Sequence, residues 1–248
     1  MRGLVAILLL GCALGAGRAP LADTVWTDAD TVWTDANIVT GLDISGSVEP
    51  RDAQIQIDGI AMAIRAPEIV AAIRSGRYGR VGFAVFVWAE GTYPVLASWR
   101  LIGSSADALS VSDEVADRLH AIIDSGIASR LGALTDLSGA LDYGGGMLRS
   151  APFPTLHPIL NIVGNGIDNV GDGARPARDR LVAQGITING VALGYDHSIY
   201  EYFHQSVIGG PDSFVLAAND PEKLIEVMAR KFVTEIVLNV NHASQALR

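Results

Sequence analysis

Cysteine is nearly absent, with Cys12 the single copy in a chain of 248 residues. That excludes a disulfide framework and a cysteine-rich zinc site, both of which need several thiols. Histidine is scarce as well: five scattered copies contain no His-Glu-x-x-His, so the zinc-protease motif is missing. Basic residues are outnumbered, 18 Lys and Arg against 27 Asp and Glu, for a formal charge of −9. A chain of that sign has no general attraction for nucleic acid or anionic lipid, because phosphate binding needs a basic face. No stretch approaches the roughly 20 apolar residues of a membrane-spanning helix. What is present, 49% apolar and only 18% charged residues, is enough for one large domain with a buried core.

Residues 1–22, MRGLVAILLLGCALGAGRAPLA, read as a signal peptide. Arg2 supplies the positive start, residues 4–16 the short apolar region, and Ala19 or Ala22 the cleavage point. The chain is therefore expected to be secreted or periplasmic. The run Leu9-Leu10-Gly11-Cys12 loosely resembles a bacterial lipoprotein cleavage box, which keeps a lipid anchor at Cys12 as the alternative to plain secretion. Residues 23–36 are DTVWTDA written twice. Two units fall short of the roughly three that a stacked repeat needs. They read as a duplicated N-terminal arm before a domain at 37–238, with 239–248 as a C-terminal tail.

Within that domain strand and helix patterns alternate. NIVTGLDI at 37–44 is a buried strand, and Ile57, Ile60, Ala61 and Ile64 form a helical stripe inside 51–74, interrupted by Pro67. Further strands are predicted at 81–89, 95–102, 158–164, 186–193 and 213–217. Helices are predicted at 106–125, 135–149, 174–184 and from Asn219-Asp220-Pro221-Glu222 onward, where Ile225, Met228, Ala229, Phe232 and Ile236 mark the buried face. The Gly144-Gly145-Gly146 run lies inside a predicted helix and reads as close helix packing. Arg175, Arg178 and Arg180 read as a solvated helix face, Trp88 and Trp99 as core or sheet-edge residues. His197 and His204 read as members of an aromatic cluster with Tyr195, Tyr200, Tyr202 and Phe203, and His157 as an edge residue. Together the pattern predicts an α/β fold, a doubly wound and mainly parallel sheet with helices on both faces. Ligands of such sheets sit beyond the carboxyl ends of the strands.

The first strand runs directly into Asp43-Ile44-Ser45-Gly46-Ser47. One carboxylate and two hydroxyls at alternate positions offer hard oxygen ligands of the kind that suit Mg²⁺, Mn²⁺ or Ca²⁺. Here the sequence resembles the von Willebrand factor A (vWA) domain, whose metal-ion-dependent adhesion site, or MIDAS, is written Asp-x-Ser-x-Ser. The closest likeness is to a family of bacterial exported vWA-like proteins without an assigned function, carried by FVWAEG around Trp88, VLASWRLI around Trp99 and the strand ITINGVAL. The resemblance implies that Asp43, Ser45 and Ser47 hold a cation and that Thr135, in GALTDLSGAL, joins them. It also implies an Asp after the fourth strand, where this chain has Asn165; Asp168 or Asp172 could swing in there, and Asp136 sits beside Thr135. The function implied is a non-enzymatic module whose cation engages an Asp or Glu of a protein partner.

Two other classes fit the same segment less well. A haloacid-dehalogenase-type phosphohydrolase also places Asp at the end of its first strand, but needs a general acid two residues later, where this chain has Ser45. A metal-free scaffold would use Ser45 and Ser47 only as helix caps.

Overall fold

Strand β1 (Asn37–Asp43) is buried along its whole length, the pattern of a strand covered by helices on both faces. The computed structural model that contains it describes residues 31–46, 50–124, 134–220 and 223–245. Two parallel neighbours flank β1: β2 (Val81–Trp88) and β4 (Pro158–Gly164). Strand β5 (Thr187–Leu193) and the short β6 (Val215–Ala218) extend the sheet in parallel beyond β4. Strand β3 (Val95–Ile102) closes the other edge antiparallel to β2, so the order is β3-β2-β1-β4-β5-β6. The winding reverses between β1 and β4, which makes the carboxyl end of β1 the topological switch point of the sheet.

Side chains alternate between two cores. Ile38 and Leu42 face a core closed by α1 (Pro50–Ile64), α2 (Pro67–Arg74), α3 (Ser105–Asp124) and α7 (Leu224–Gln245). Val39 faces a second core closed by α4 (Leu137–Arg149), α5 (Ala174–Val182), α6 (His197–Tyr202) and a π-helical turn at Phe203–Val207. Pro67 separates α1 from α2, as its missing amide hydrogen requires, and stands at the start of the second helix. In α4 a Cβ on Gly144 would collide with Leu160 and one on Gly145 with Leu181. Those two glycines let α4 lie close against β4 and α5, so the glycine run is a packing device.

The end of the second DTVWTDA copy packs against this domain. Thr34 is buried and donates to Asn37 Oδ1 at 2.9 Å. Asp35 accepts from the amides of Tyr78 at 3.0 Å and Arg80 at 3.3 Å, fixing the turn between α2 and β2. Trp33 stacks on Tyr78 with ring centroids 6.1 Å apart. The first copy, and the signal-peptide segment with Cys12, lie outside the described residues.

Candidate metal centre

Asp43 is the last residue of β1 and is fully buried at the switch point. Its register partner on β2 is Trp88, also fully buried. The Trp88 ring reaches across β1 to β4, because a Cβ on Gly164 would stand 3.3 Å from Trp88 Cζ2 and 3.2 Å from Asp43 Oδ2. Aromatic carbon and strand backbone thus replace water around the carboxylate. Burial raises its pKa from 3.8 to about 6, against the pull of the Ser45 hydroxyl and amide and of the Asn165 backbone amide. Asp43 Oδ1 accepts the Ser45 amide at 2.8 Å, while Oδ2 has no hydrogen-bond partner among the described residues. A buried carboxylate oxygen left in that state costs free energy unless something positive meets it.

Two of the other expected ligands are buried on neighbouring segments. Ser45 is buried two residues beyond Asp43, on the turn leading to α1. Thr135 is buried just ahead of α4. Its hydroxyl faces the loop after β4, since a Cβ on Gly166 would lie 3.0 Å from Thr135 Oγ1. Gly164 therefore lies beside Asp43 and Gly166 beside Thr135, and Asn165 is the residue that joins them in the chain. Ser47 lies outside the described residues.

Three further carboxylates of the sequence bear on the site differently. Asp136 caps α4, with Oδ1 accepting the Gly139 amide at 2.9 Å. Its Oδ2 accepts the Tyr93 hydroxyl at 2.6 Å and the Gly91 amide at 3.2 Å. Asp168 accepts the amides of Ser138 at 2.9 Å and Val170 at 3.1 Å. Both are engaged in holding loops, whereas Asp172 is exposed. Asn169 pins Thr135, accepting its amide at 2.8 Å on the side chain and donating its own amide to Thr135 O at 3.1 Å. No sequence pattern pointed to Asn169 or Tyr93; both act across long stretches of chain.

Among the described residues no group of three or more His, Cys, Asp or Glu side chains comes together. A cation at this rim would be held by one carboxylate with hydroxyl and amide oxygens, a hard donor set that fits Mg²⁺, Mn²⁺ or Ca²⁺. The orphaned Asp43 oxygen is the atom such an ion would satisfy.

His197, Tyr200 and His204 form a stacked row, with centroids 5.7 Å and 6.4 Å apart. Arg178 differs from the expected solvated face: its side chain is 15% exposed and donates to Ile208 O at 2.5 Å, anchoring the segment after the π-helical turn. Trp99 is half-buried on the edge strand.

A family model described as a protein of unknown function, DUF1194, matches residues 33–240. The chain belongs to that family. No curated protein matches the DUF1194 chain in sequence. Its fold is that of solved vWA-type domains. SpaC, a pilus adhesin of Lactobacillus rhamnosus GG, superposes with a TM-score of 0.57 at 14% identity over 82% of this chain and 30% of SpaC. Proximal thread matrix protein 1 of the mussel byssus, in a structure with a zinc-occupied MIDAS motif, gives 0.53 at 17% identity over 83% of this chain and 47% of that one. The SpRpn10 VWA domain gives 0.53 at 11% identity, over 79% and 94% of the two chains. The chain thus spans less than half of the adhesin and of the mussel protein.

Proposed function

We propose that the protein is an exported binding module that engages an acidic residue of a protein partner through a divalent cation held by Asp43, Ser45, Ser47, Thr135 and Asn165. The observation that carries this reading is the fully buried Asp43 carboxylate with one oxygen unpartnered at the switch point of a vWA-type sheet. When bound, the cation supplies an electrophilic open position that a partner carboxylate completes. Asp43 would give the charge, Ser45 and Ser47 would give hydroxyl oxygens, and Thr135 would add a third hydroxyl from just ahead of α4. Asn165, where the vWA pattern has Asp, would hold a water or bind directly through its amide oxygen, so one negative charge fewer would face the metal. That leaves the ion more electrophilic toward an incoming Asp or Glu, and more weakly held by the protein.

The zinc-occupied MIDAS of the mussel protein supports divalent binding at this position of the fold. The pilus adhesin supports adhesion at a cell surface as a use of the fold. Ser45 stands where a phosphohydrolase would need a general acid, so no turnover is expected.

The test uses Mn²⁺ and N-acetyl-aspartate amide as a carboxylate probe. The wild-type chain with Mn²⁺ should speed relaxation of the probe's acetyl protons well beyond Mn²⁺ alone, and Asp43→Ala should abolish the excess. Equal relaxation with wild type and Asp43→Ala would reject the reading.

A further inference from the structure

A row of polar side chains interrupts the core between the sheet and α7. Thr40 on β1 pairs in register with Asn161 on β4, and Asn161 with Asn189 on β5. All three are buried and alternate with Ile38, Leu42, Ile159, Val163 and Val191, so they face α7. On α7, Lys231 and Glu235 form a fully buried ion pair one turn apart. Glu235 also accepts the side-chain amides of Asn189 at 2.7 Å and Asn161 at 3.2 Å. The Lys231 ammonium lies 5.7 Å from the Phe214 ring centre and 5.8 Å from that of Phe232. Thr40 Oγ1 and Asn161 Oδ1 have no hydrogen-bond partner among the described residues. Burying such a set stabilises a fold no better than apolar packing would, and the two orphaned atoms add cost. The network is not accounted for by stability.

A cavity of about 310 Å³ opens beside it. Its wall includes Pro158, Ile159 and Thr187 at the starts of β4 and β5, so it lies at the opposite end of these strands from the Asp43 rim. Glu235 and Asn189 bring the buried network to its surface, and Asp212 adds a second carboxylate. The Thr187 hydroxyl is committed to Pro211 O at 3.3 Å. Glu235 makes three hydrogen bonds, to Lys231, Asn161 and Asn189, and a carboxylate offers about four acceptor positions. Phe214, Leu238, Ile159 and Pro158 give the rest of the wall an apolar character. Asn189 is committed on both sides, its Oδ1 accepting the Phe214 amide at 3.0 Å, and His157 also lines the wall. The remaining Glu235 acceptor position and the Asp212 carboxylate, set among hydrocarbon walls, suit a donor-bearing cationic head on an apolar body, and the volume suits a small organic molecule.

We propose that this cavity binds a small organic primary ammonium ion, its head on Glu235 and its body against Phe214 and Leu238. The proposal stands independently of the cation site at Asp43.

Three similar probes test it on the full chain by amide-resolved NMR titration: 2-phenylethylammonium, 2-phenylethanol and 3-phenylpropionate. The ammonium should shift the amides of Gly185, Thr187 and Phe214 saturably, with a dissociation constant on the order of millimolar, as expected for so small a ligand. It should bind at least tenfold more tightly than the other two. Leu238→Trp, which fills the cavity and leaves both charges in place, should abolish the shifts while the chain stays folded. Lys231→Met with Glu235→Gln, which removes both charges together, should weaken ammonium binding at least tenfold. Equal affinity for the three probes, absence of saturable shifts in wild type, or full binding to Leu238→Trp would overturn the proposal.

Discussion

The Tyr93 hydroxyl donates to Asp136 Oδ2 at 2.6 Å, tying the loop between β2 and β3 to the first turn of α4. Tyr93 also stacks on Tyr143 of α4, with centroids 4.8 Å apart. Partial burial and the adjacent carboxylate hold the phenol protonated far above its ordinary range. Because Asp136 follows Thr135 directly, this contact fixes the rim on which the candidate site is built. Tyr93→Phe should lower stability by about 1.5–3 kcal/mol, the scale of a hydrogen bond to a charged acceptor. Asp136→Ala, which also removes the α4 cap, should cost about 2–4 kcal/mol. Urea unfolding of the two single variants and the double variant should show coupling; strict additivity would contradict the contact.

Gly164 is a point of close approach at the site. A methyl there would press on both Asp43 Oδ2, 3.2 Å away, and Trp88 Cζ2, 3.3 Å away. Gly164→Ala should cost about 1–2 kcal/mol of stability from overpacking. It should also weaken Mg²⁺ binding several-fold, read by calorimetric titration. Unchanged affinity would mean that this side of Asp43 does not shape the cup.

Asp43 makes the metal-free protein pH-dependent in a direction opposite to most carboxylates. Its pKa in the fold, about 6, lies above the ordinary 3.8, so the folded state binds the proton more tightly than the unfolded chain does. The corresponding stability is full below pH 3.8 and is lost as pH rises through about 6. In the presence of a chelator, Asp43→Asn should therefore be more stable than wild type at pH 8, by up to about 3 kcal/mol. The gap should close below about pH 4. Urea unfolding across that range checks both the sign and the window.

Lys231 and Glu235 should show the asymmetry of a buried pair. Lys231→Met alone and Glu235→Gln alone should each cost about 3–5 kcal/mol, because each leaves a partner uncompensated in the core. The double variant should lie within about 1 kcal/mol of wild type or above it. Denaturant unfolding of the three variants tests this; two mild single variants would show that water reaches the pair.

Much of this architecture is written locally. The strand NIVTGLD is apolar on both faces because helices cover both, and Pro67 divides α1 from α2 by removing one helical hydrogen bond. Asp43 and Ser45 are recognisable for the same reason: a carboxylate and hydroxyl follow a buried strand at the end where doubly wound sheets bind ligands. The ion pair on α7 was hidden because charged residues are normally read as a solvent face, although Lys231 and Glu235 share a helical stripe with Met228 and Phe232. The asparagines in the middle of PILNIVG and TINGVAL were the signal, since an amide inside a buried strand needs a partner across the core. The Tyr93–Asp136 contact had no such signal, because 43 residues separate its ends. The same distance problem hid the packing of Trp33, Thr34 and Asp35, which the sequence read as arm.

Calorimetric titration of the full chain with Mg²⁺ and Mn²⁺, run in parallel on Asp43→Ala and Asn165→Asp, tests the central claim most directly. Wild type should show one saturable site, Asp43→Ala none, and Asn165→Asp roughly tenfold tighter binding, because a second carboxylate would join the ion. Identical titrations for all three chains would contradict that claim.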